Sequence, residues 1–529
     1  MSAPSPDAPP WWKGAAIYQI YPRSFADSNG DGVGDLAGIA ARLDHVASLG
    51  VEAIWLSPFF TSPMRDFGYD VADYCDVDPL FGTLADFDAL VERAHGLGLR
   101  VIIDQVMAHT SDQHAWFAES RSGRDNPKAD WYVWADPKPD GSPPCNWQSV
   151  FGGPAWTWDG RRRQYYMHQF LKEQPQLNVH QPAVQDALLD AARFWLERGV
   201  DGFRLDALNH SMFDPQLRDN AVASDDGPRT RPFDYQRRNR SQDHPGVVAF
   251  VERIAGLCAG YGAVFTVAEV GGPKVLPLMK AYTGPGRLSS AYSFDFLYAP
   301  ELTPALVAKT QQAWPGLPGE GWPSWAFENH DAPRIASRWC ADPVLRPGFC
   351  RMAMALLLCL RGNVFLYQGQ ELGLEQDEIP FELLQDPEAI ANWPLTLSRD
   401  GVRTPMPWDA SLPNAGFGDG VPWLPLSAGN IARAVAGQEA DAGSLLHFTR
   451  EALALRRGQA ALRSGAFENC LTKGDLLVFE RAWAGERLRC AFNLGQVSLA
   501  HTGAGEVLLA VNGATADALP AFGARVTRG

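Results

Sequence analysis

Eight short runs rich in Val, Ile, Phe and Tyr recur along the chain, and several are apolar at consecutive positions. They are AAIYQIYPRSF (15–25), GVEAIWLSP (50–58), LRVIIDQVMAH (99–109), GFRLDAL (202–208), VFTVAEV (264–270), SAYSFDF (290–296), SWAFENHD (324–331) and NVFLYQGQE (363–371). A strand apolar on both faces belongs in a parallel sheet covered by helices. Helical patterns lie between the runs. GDLAGIAARLDHVASLG has apolar residues at helical spacing and ends on Gly50, and LADFDALVERAHGLG and VQDALLDAARFWLERG repeat the scheme. Eight such units predict an α/β chain folded as a (β/α)8 barrel.

Two stretches break the rhythm. Residues 110–177 follow the third run, lack a long helical pattern and are rich in Trp, Pro and Gly. They are expected to form an insertion domain on the barrel mouth. Residues 374–440 follow the eighth run, are loop-rich, and are expected to be a second cover over the same mouth. After a helix at about 443–457 the pattern turns to short alternating strands, as in CLTKGDLLVFERAWAGERLRCAFNLG. The predicted organisation is a barrel from 1–109 and 178–457, an insertion at 110–177, and a small antiparallel β-domain at 458–529. A chain of 529 residues exceeds one compact core of ordinary size, which suits this division.

Acidic residues number 61 against 46 basic ones, for a net charge of −15. That argues against nucleic-acid or anionic-membrane partners, which call for a basic face. The opening MSAPSPDAPPWWKG has no basic stretch leading into an apolar run, so no secretory signal is expected. The longest apolar run, MAMALLLCL (352–360), falls well short of the roughly 20 residues of a membrane span and reads as a buried helix. Eight scattered cysteines form no CxxC pair and no metal-ligand spacing with histidine, so they are expected to be reduced and buried in a cytoplasmic protein.

Three segments end in acidic residues: GFRLD at Asp206, TVAE at Glu269 and ENHD at Asp331. Carboxylates at the C-terminal ends of parallel barrel strands converge on one mouth, and paired carboxylates are what cleavage of a glycosidic bond requires. Asp206 stands two residues after Arg204, so on a strand both face the same way. The arginine favours an ionised carboxylate, a candidate nucleophile. Glu269 ends an apolar strand, where burial and a neighbouring carboxylate raise its pKa and suit it to general acid work. His330 and Asp331 are placed to grip adjacent hydroxyls, and His109 adds a donor at the same rim. The 11% aromatic content leaves rings to stack on sugars beyond those the core needs.

DSNGDGVGD places Asp27, Asn29, Asp31 and Asp35 at alternating positions, with Gly32 at the turn and the Val33 carbonyl between. The pattern follows the first nine positions of a calcium loop but has Gly38 where the twelfth-position glutamate would stand. One structural Ca2+ or Mg2+ is expected there. No organic cofactor is expected.

With these residues in hand, the chain resembles the α-amylase superfamily (glycoside hydrolase family 13), nearest its exo-acting α-glucosidase and oligo-1,6-glucosidase branch. The resemblance covers nearly all of residues 11–500 and rests on AIYQIYPRSFADSNGDGVGDLAGI, DFGYDVADY, DQVMAHTS, GFRLDAL, AEV, FENHD and RTPMPW, which stand in family order. It implies that Asp206 is the nucleophile, Glu269 the acid/base, and Asp331 a residue that binds and helps distort the ring. It implies that Tyr69, His109, Arg204 and His330 wall the first sugar site, with Phe151 and Phe170 as aromatic neighbours. Asp66 and Arg403 resemble a pair that closes the pocket beyond the non-reducing end, which would make the enzyme exo-acting. At the position of Ala207, directly after the nucleophile, Ala or Thr goes with α-1,4 bonds in related enzymes and Val with α-1,6, so this chain leans to α-1,4. Residues 212–245 resemble acceptor-shaping loops of bacterial α-glucosidases that prefer short substrates and transfer glucose to alcohols or phenols. The expected partner is a small oligosaccharide or glucoside, with the chain a monomer or homodimer. Two alternatives follow from the same family: an oligo-1,6-glucosidase or sucrose- or maltose-isomerising enzyme, and a non-catalytic transporter subunit. The second conflicts with the three acids present here.

Overall fold

The structure is a computed structural model that describes residues 9–224, 229–272, 275–317, 319–396 and 398–529. The first eight residues, and 225–228 within the acceptor-loop region 212–245, lie outside the described residues.

All eight runs are strands of one sheet: β1 (Ala16–Ile20), β2 (Ala53–Leu56), β3 (Arg100–Val106), β4 (Gly202–Asp206), β5 (Phe265–Val270), β6 (Ser290–Ser293), β7 (Trp322–Ala326) and β8 (Asn363–Tyr367). Each pairs in parallel with its neighbours in sequence, and β8 pairs with β1, so the sheet closes into a barrel. The period of two explains why the runs are apolar on both faces. Ile17, Trp55, Ile102, Val267 and Phe365 pack together inside the barrel. Tyr18, Ile54, Ile103, Phe203 and Leu366 join the larger core between sheet and helices. At Gly202 a side chain has no room: a Cβ would stand 2.5 Å from the Phe265 carbonyl oxygen. The close approach of β4 to β5 depends on that glycine.

The helices alternate with the strands: α1 (Leu36–Leu49), α2 (Leu84–Gly96), α3 (Pro182–Glu197), α4 (Val247–Ala259), α5 (Val275–Tyr282), α6 (Pro304–Ala313) and α7 (Arg346–Cys359). The Asp35 side chain caps α1 by accepting from the Gly38 N–H, and Gly50 ends it at φ 88°. Thr83 and Asp86 form a capping box on α2. The MAMALLLCL run lies within buried α7, up to its C-cap.

Residues 110–177 contain one helix of eight residues (Ala115–Ser122) and a three-stranded antiparallel sheet of Trp134–Ala135, Gln164–Met167 and Trp156–Asp159. Among the described residues, 374–440 carry only short helices. After α8 (Leu445–Gly458) comes a five-stranded antiparallel sheet of β9 (Ala466–Lys473), β10 (Leu476–Trp483), β11 (Glu486–Asn493), β12 (Glu506–Val511) and β13 (Ala524–Arg528), in the order β9-β10-β11-β13-β12. Buried Arg481 of β10 donates to the Cys359 carbonyl at the end of α7 at 2.6 Å, tying sheet to barrel. Among the described residues no helix is long and apolar enough to cross a membrane, and all eight cysteines are unbridged.

Candidate active site

Alternation along β3, β4 and β5 turns Asp104, Arg204, Asp206 and Glu269 into the barrel mouth, and all four are buried. Arg204 organises them. Its Nη1 reaches Asp104 at 2.7 Å and Asp206 at 2.5 Å, and its Nη2 reaches Glu269 at 2.5 Å. Tyr292 of β6 donates its hydroxyl to Glu269 Oε1 at 3.2 Å and accepts from Arg204 at 3.1 Å. One guanidinium faces three buried carboxylates, so it does not offset all of them. Burial pushes Asp104 up to about 6 despite Arg204. Burial pushes Asp206 up to about 7, against Arg204 and with Asp104. Burial does the same to Glu269, which rises to about 7 with a further push from Asp206.

The opposite wall carries Asp331. Burial works against its charge, but Arg403 and Arg399 outweigh burial and hold its carboxyl well below the usual range. Arg403 Nη2 lies 2.6 Å from Asp331 and Arg399 Nη1 lies 3.4 Å away. Burial drives His330 down to about 3, so its ring is neutral. Its Nδ1 faces Gln19 Nε2 at 2.7 Å, and its Nε2 faces the Tyr69 hydroxyl at 2.6 Å and Asp331 at 3.2 Å. His109 is also neutral, pushed down to about 4 by burial. Its Nε2 meets the Tyr69 carbonyl at 3.0 Å, and its Nδ1 has no partner among the described residues. Phe170 packs on His109 at 5.3 Å and on Phe151 at 5.7 Å.

These side chains line one cavity of about 370 Å³. It includes Asp66, Tyr69, His109, Phe151, Phe170, Asp206, Glu269 and Asp331 among its walls. Arg204, His330 and Arg403 stand behind that wall as its supports.

Three sequence expectations are corrected. Asp66 does not pair with Arg403: Arg399 Nη2 reaches Asp66 at 3.2 Å, while Arg403 turns to Asp331 and to the His330 carbonyl at 2.8 Å. Arg399 opens a single helical turn, Arg399–Val402, and Arg403 caps its end, so the earlier residue is the one that reaches Asp66. Asp331 does not stand on strand β7, which stops at Ala326 and leaves Glu328–Asp331 in the following loop. His109 likewise lies beyond the end of β3, in a bridge to Gln176. Sequence reading missed Tyr292, Asp104 and Arg399. Asp104 stands in the quoted DQVMAHTS and Arg399 four residues before RTPMPW, so both carried a signal in their proximity to motifs. Tyr292 carried none.

The loop of Asp27, Asn29, Asp31, Val33 and Asp35 is held by its own backbone. Asp27 accepts from Gly30 N–H at 2.7 Å and Gly32 N–H at 2.9 Å, Asn29 from Asp31, Asp31 from Val33, and Asp35 from Ser28 and Gly38. Gly32, at φ 89°, lies against the 374–440 cover, where a Cβ would meet the Val421 carbonyl. Among the described residues no group of three or more His, Cys, Asp or Glu side chains is arranged to hold a metal ion. The oxygens are those a hard cation takes, but as folded they face N–H donors.

A closed parallel barrel with acidic residues gathered at its mouth is an arrangement that suits cleavage of glycosides. Comparison with known proteins agrees. The family described as "Alpha amylase, catalytic domain" matches residues 19–465, and the chain belongs to that family, as a glycoside hydrolase. It is 52% identical to a probable alpha-glucosidase of Rhizobium meliloti (strain 1021), over 92% of this chain and 89% of that one. It is 36% identical to an oligo-1,6-glucosidase of Heyndrickxia coagulans, over 92% of each. The crystal structure of an alpha-glucosyl transfer enzyme, XgtA, is similar with a TM-score of 0.93 at 50% identity, over 98% of this chain and 100% of that one.

Proposed function

We propose that the protein is a retaining exo-α-glucosidase that releases glucose from the non-reducing end of short α-1,4-glucosides such as maltose, and that it also transfers glucose to alcohols or phenols. The observation that carries this reading is the pairing of Asp206 and Glu269 on adjacent nitrogens of Arg204. A retaining pair stands about 5–5.5 Å apart, a separation that one shared guanidinium suits. Asp206 attacks the anomeric carbon while Glu269 gives its proton to the leaving oxygen, forming a β-glucosyl ester. Glu269 then takes a proton from water or a second alcohol, whose oxygen displaces the Asp206 carboxylate with retention. Asp331, ionised by its arginines, serves the sugar hydroxyls with neutral His109, and His330 holds Tyr69 and Asp331 in place from behind. Arg399 and Asp66 support a closed non-reducing end. Transfer is supported by the likeness to the alpha-glucosyl transfer enzyme. Ala207 supports the α-1,4 linkage through the shape of its small side chain, which lines the cavity directly after the nucleophile; its N–H donates to Glu269 at 3.1 Å.

Purified protein incubated with maltose, isomaltose, sucrose and trehalose tests the reading. Glucose chiefly from maltose, first seen as the α-anomer by NMR, is expected. The oligo-1,6-glucosidase relative gives isomaltose its place in the panel; preference for it would reassign the linkage, and sucrose isomerisation without net glucose would reassign the reaction.

The pH dependence follows from the acid pair. Its active form carries one proton, and Glu269, raised to about 7 by burial first and Asp206 after it, loses that proton as pH rises. We expect kcat/KM to fall about tenfold per unit above pH about 7, read with an unactivated disaccharide. With an activated aryl glucoside the fall should be much shallower, because its leaving group needs no acid.

We further propose a divalent cation, Ca2+ or Mg2+, in the 27–35 loop, supported by its all-oxygen donor set. Removal with EDTA should lower the melting temperature and restoring either ion should recover it, with kcat at 25 °C little changed. An unshifted melt after metal-free dialysis removes the ion from the account. The unbridged cysteines support a reducing, cytoplasmic setting.

A further inference from the structure

Three segments far apart in sequence meet over the cavity mouth through one side chain. Arg231, in the excursion after β4, reaches Glu388 in the 374–440 cover at 2.5 Å and donates to the Val150 carbonyl of the 110–177 insertion at 2.9 Å. Asn392, four residues after Glu388, donates to the Phe151 carbonyl at 3.1 Å and so ties cover to insertion a second time. Val150, Phe151, Arg231 and Glu388 all line the cavity. Both charged side chains are about one-fifth exposed, so water screens the pair less than it would at an open surface. Asp234 also holds Arg231 from its own segment, accepting its backbone N–H at 3.2 Å.

Asp66 and Arg399 pair on another part of the same cavity wall; on the glucosidase reading that end holds the sugar, and the acceptor and water come in past these segments. We propose that the Arg231–Glu388 pair is a clasp that decides how the glucosyl-enzyme partitions between acceptor and water. The inference rests on the retaining glucosidase reading above. In the deciding step the acceptor oxygen bonds to the anomeric carbon, its proton passes to Glu269, and the ester bond to Asp206 breaks, leaving the Asp206 carboxylate. Water follows the same route. A closed clasp narrows the mouth around an acceptor already seated there and limits the entry of bulk water. Without it the mouth is wider and water competes better. Arg231 and Glu388 are positioning residues, since neither is in contact with the reacting carboxyls of Asp206 and Glu269.

The test uses p-nitrophenyl α-glucoside with a saturating alcohol acceptor. Nitrophenol counts total turnover, glucose counts hydrolysis, and the difference is transfer. Arg231→Gln and Glu388→Gln should each lower the transfer-to-hydrolysis ratio by about threefold to tenfold, and the double variant should lower it no further. The charge-exchanged variant Arg231→Glu with Glu388→Arg should recover part of the ratio, which a general loosening would not. Melting curves separate unfolding from opening, and Arg231→Lys and Glu388→Asp provide milder openings if the glutamines fail to fold. Ratios equal to wild type in folded variants overturn the clasp, as do additive losses or a wild type that makes no transfer product. A wild type that releases no glucose at all instead overturns the glucosidase reading itself.

Discussion

Replacing Asp206 with alanine should lower kcat on maltose by about 10⁴-fold or more, because the step that forms the covalent ester loses its nucleophile. Azide then offers a sharper readout than the loss alone. A small anion entering the space left by the carboxylate attacks from the same face, so the Asp206→Ala protein should convert an α-glucosyl fluoride into β-glucosyl azide. In Glu269→Ala the ester still forms from an activated substrate, and azide attacks it from the opposite face to give α-glucosyl azide. The two residues sit on the same arginine, 2.5 Å from it in each case, so their roles are not separated by proximity. The anomer separates them. Reversed anomers would exchange the roles, and an Asp206→Ala enzyme near wild-type rate would end the proposed mechanism.

The second large effect concerns Arg204. It is buried, and its guanidinium contacts Asp104, Asp206 and Glu269. Arg204→Met keeps much of the volume and removes the only positive charge among these contacts. Leaving such carboxylates unpaired typically costs about 3–5 kcal/mol at neutral pH. The sign of its pH dependence is fixed by linkage. Burial already holds these carboxyls above their unfolded values, to about 6 or 7, and losing Arg204 raises them further. A raised group contributes stability that is fully present below its unfolded pKa, near 4, and lost as pH rises through the folded value. The stability gap between variant and wild type should therefore be small near pH 4–5 and widen through pH 7 and above, at about 1.4 kcal/mol per pH unit for each extra proton held. Denaturant melts at several pH values measure it. Parallel profiles would mean that the carboxyls find other partners.

Much of the site was legible because its residues lie at strand ends within short motifs. Strand alternation alone sets Arg204 and Asp206 on one face, and the apolar residues around Glu269 foretell its burial. The Asp66 partner was not legible. Arg399 and Arg403 are four residues apart and both reach Asp331, yet they stand more than 330 residues from Asp66. Only the path of the cover decides which arginine meets it. Tyr292 was missed for a similar reason: a tyrosine inside an apolar strand reads as core, and its hydroxyl acquires a role only when β6 closes beside β5.

By itself the sequence determined the barrel, since consecutive apolar residues in eight strand-length runs require helices on one side and a packed interior on the other. It also pointed to three of the acids at the mouth, Asp206, Glu269 and Asp331, though not to Asp104. Tertiary structure alone decided how those acids are charged, because burial and the sharing of one guanidinium among three carboxylates are properties of the closed barrel. It alone decided that Arg399 meets Asp66 and that Arg231 meets Glu388, because such contacts join loops whose approach no local spacing encodes.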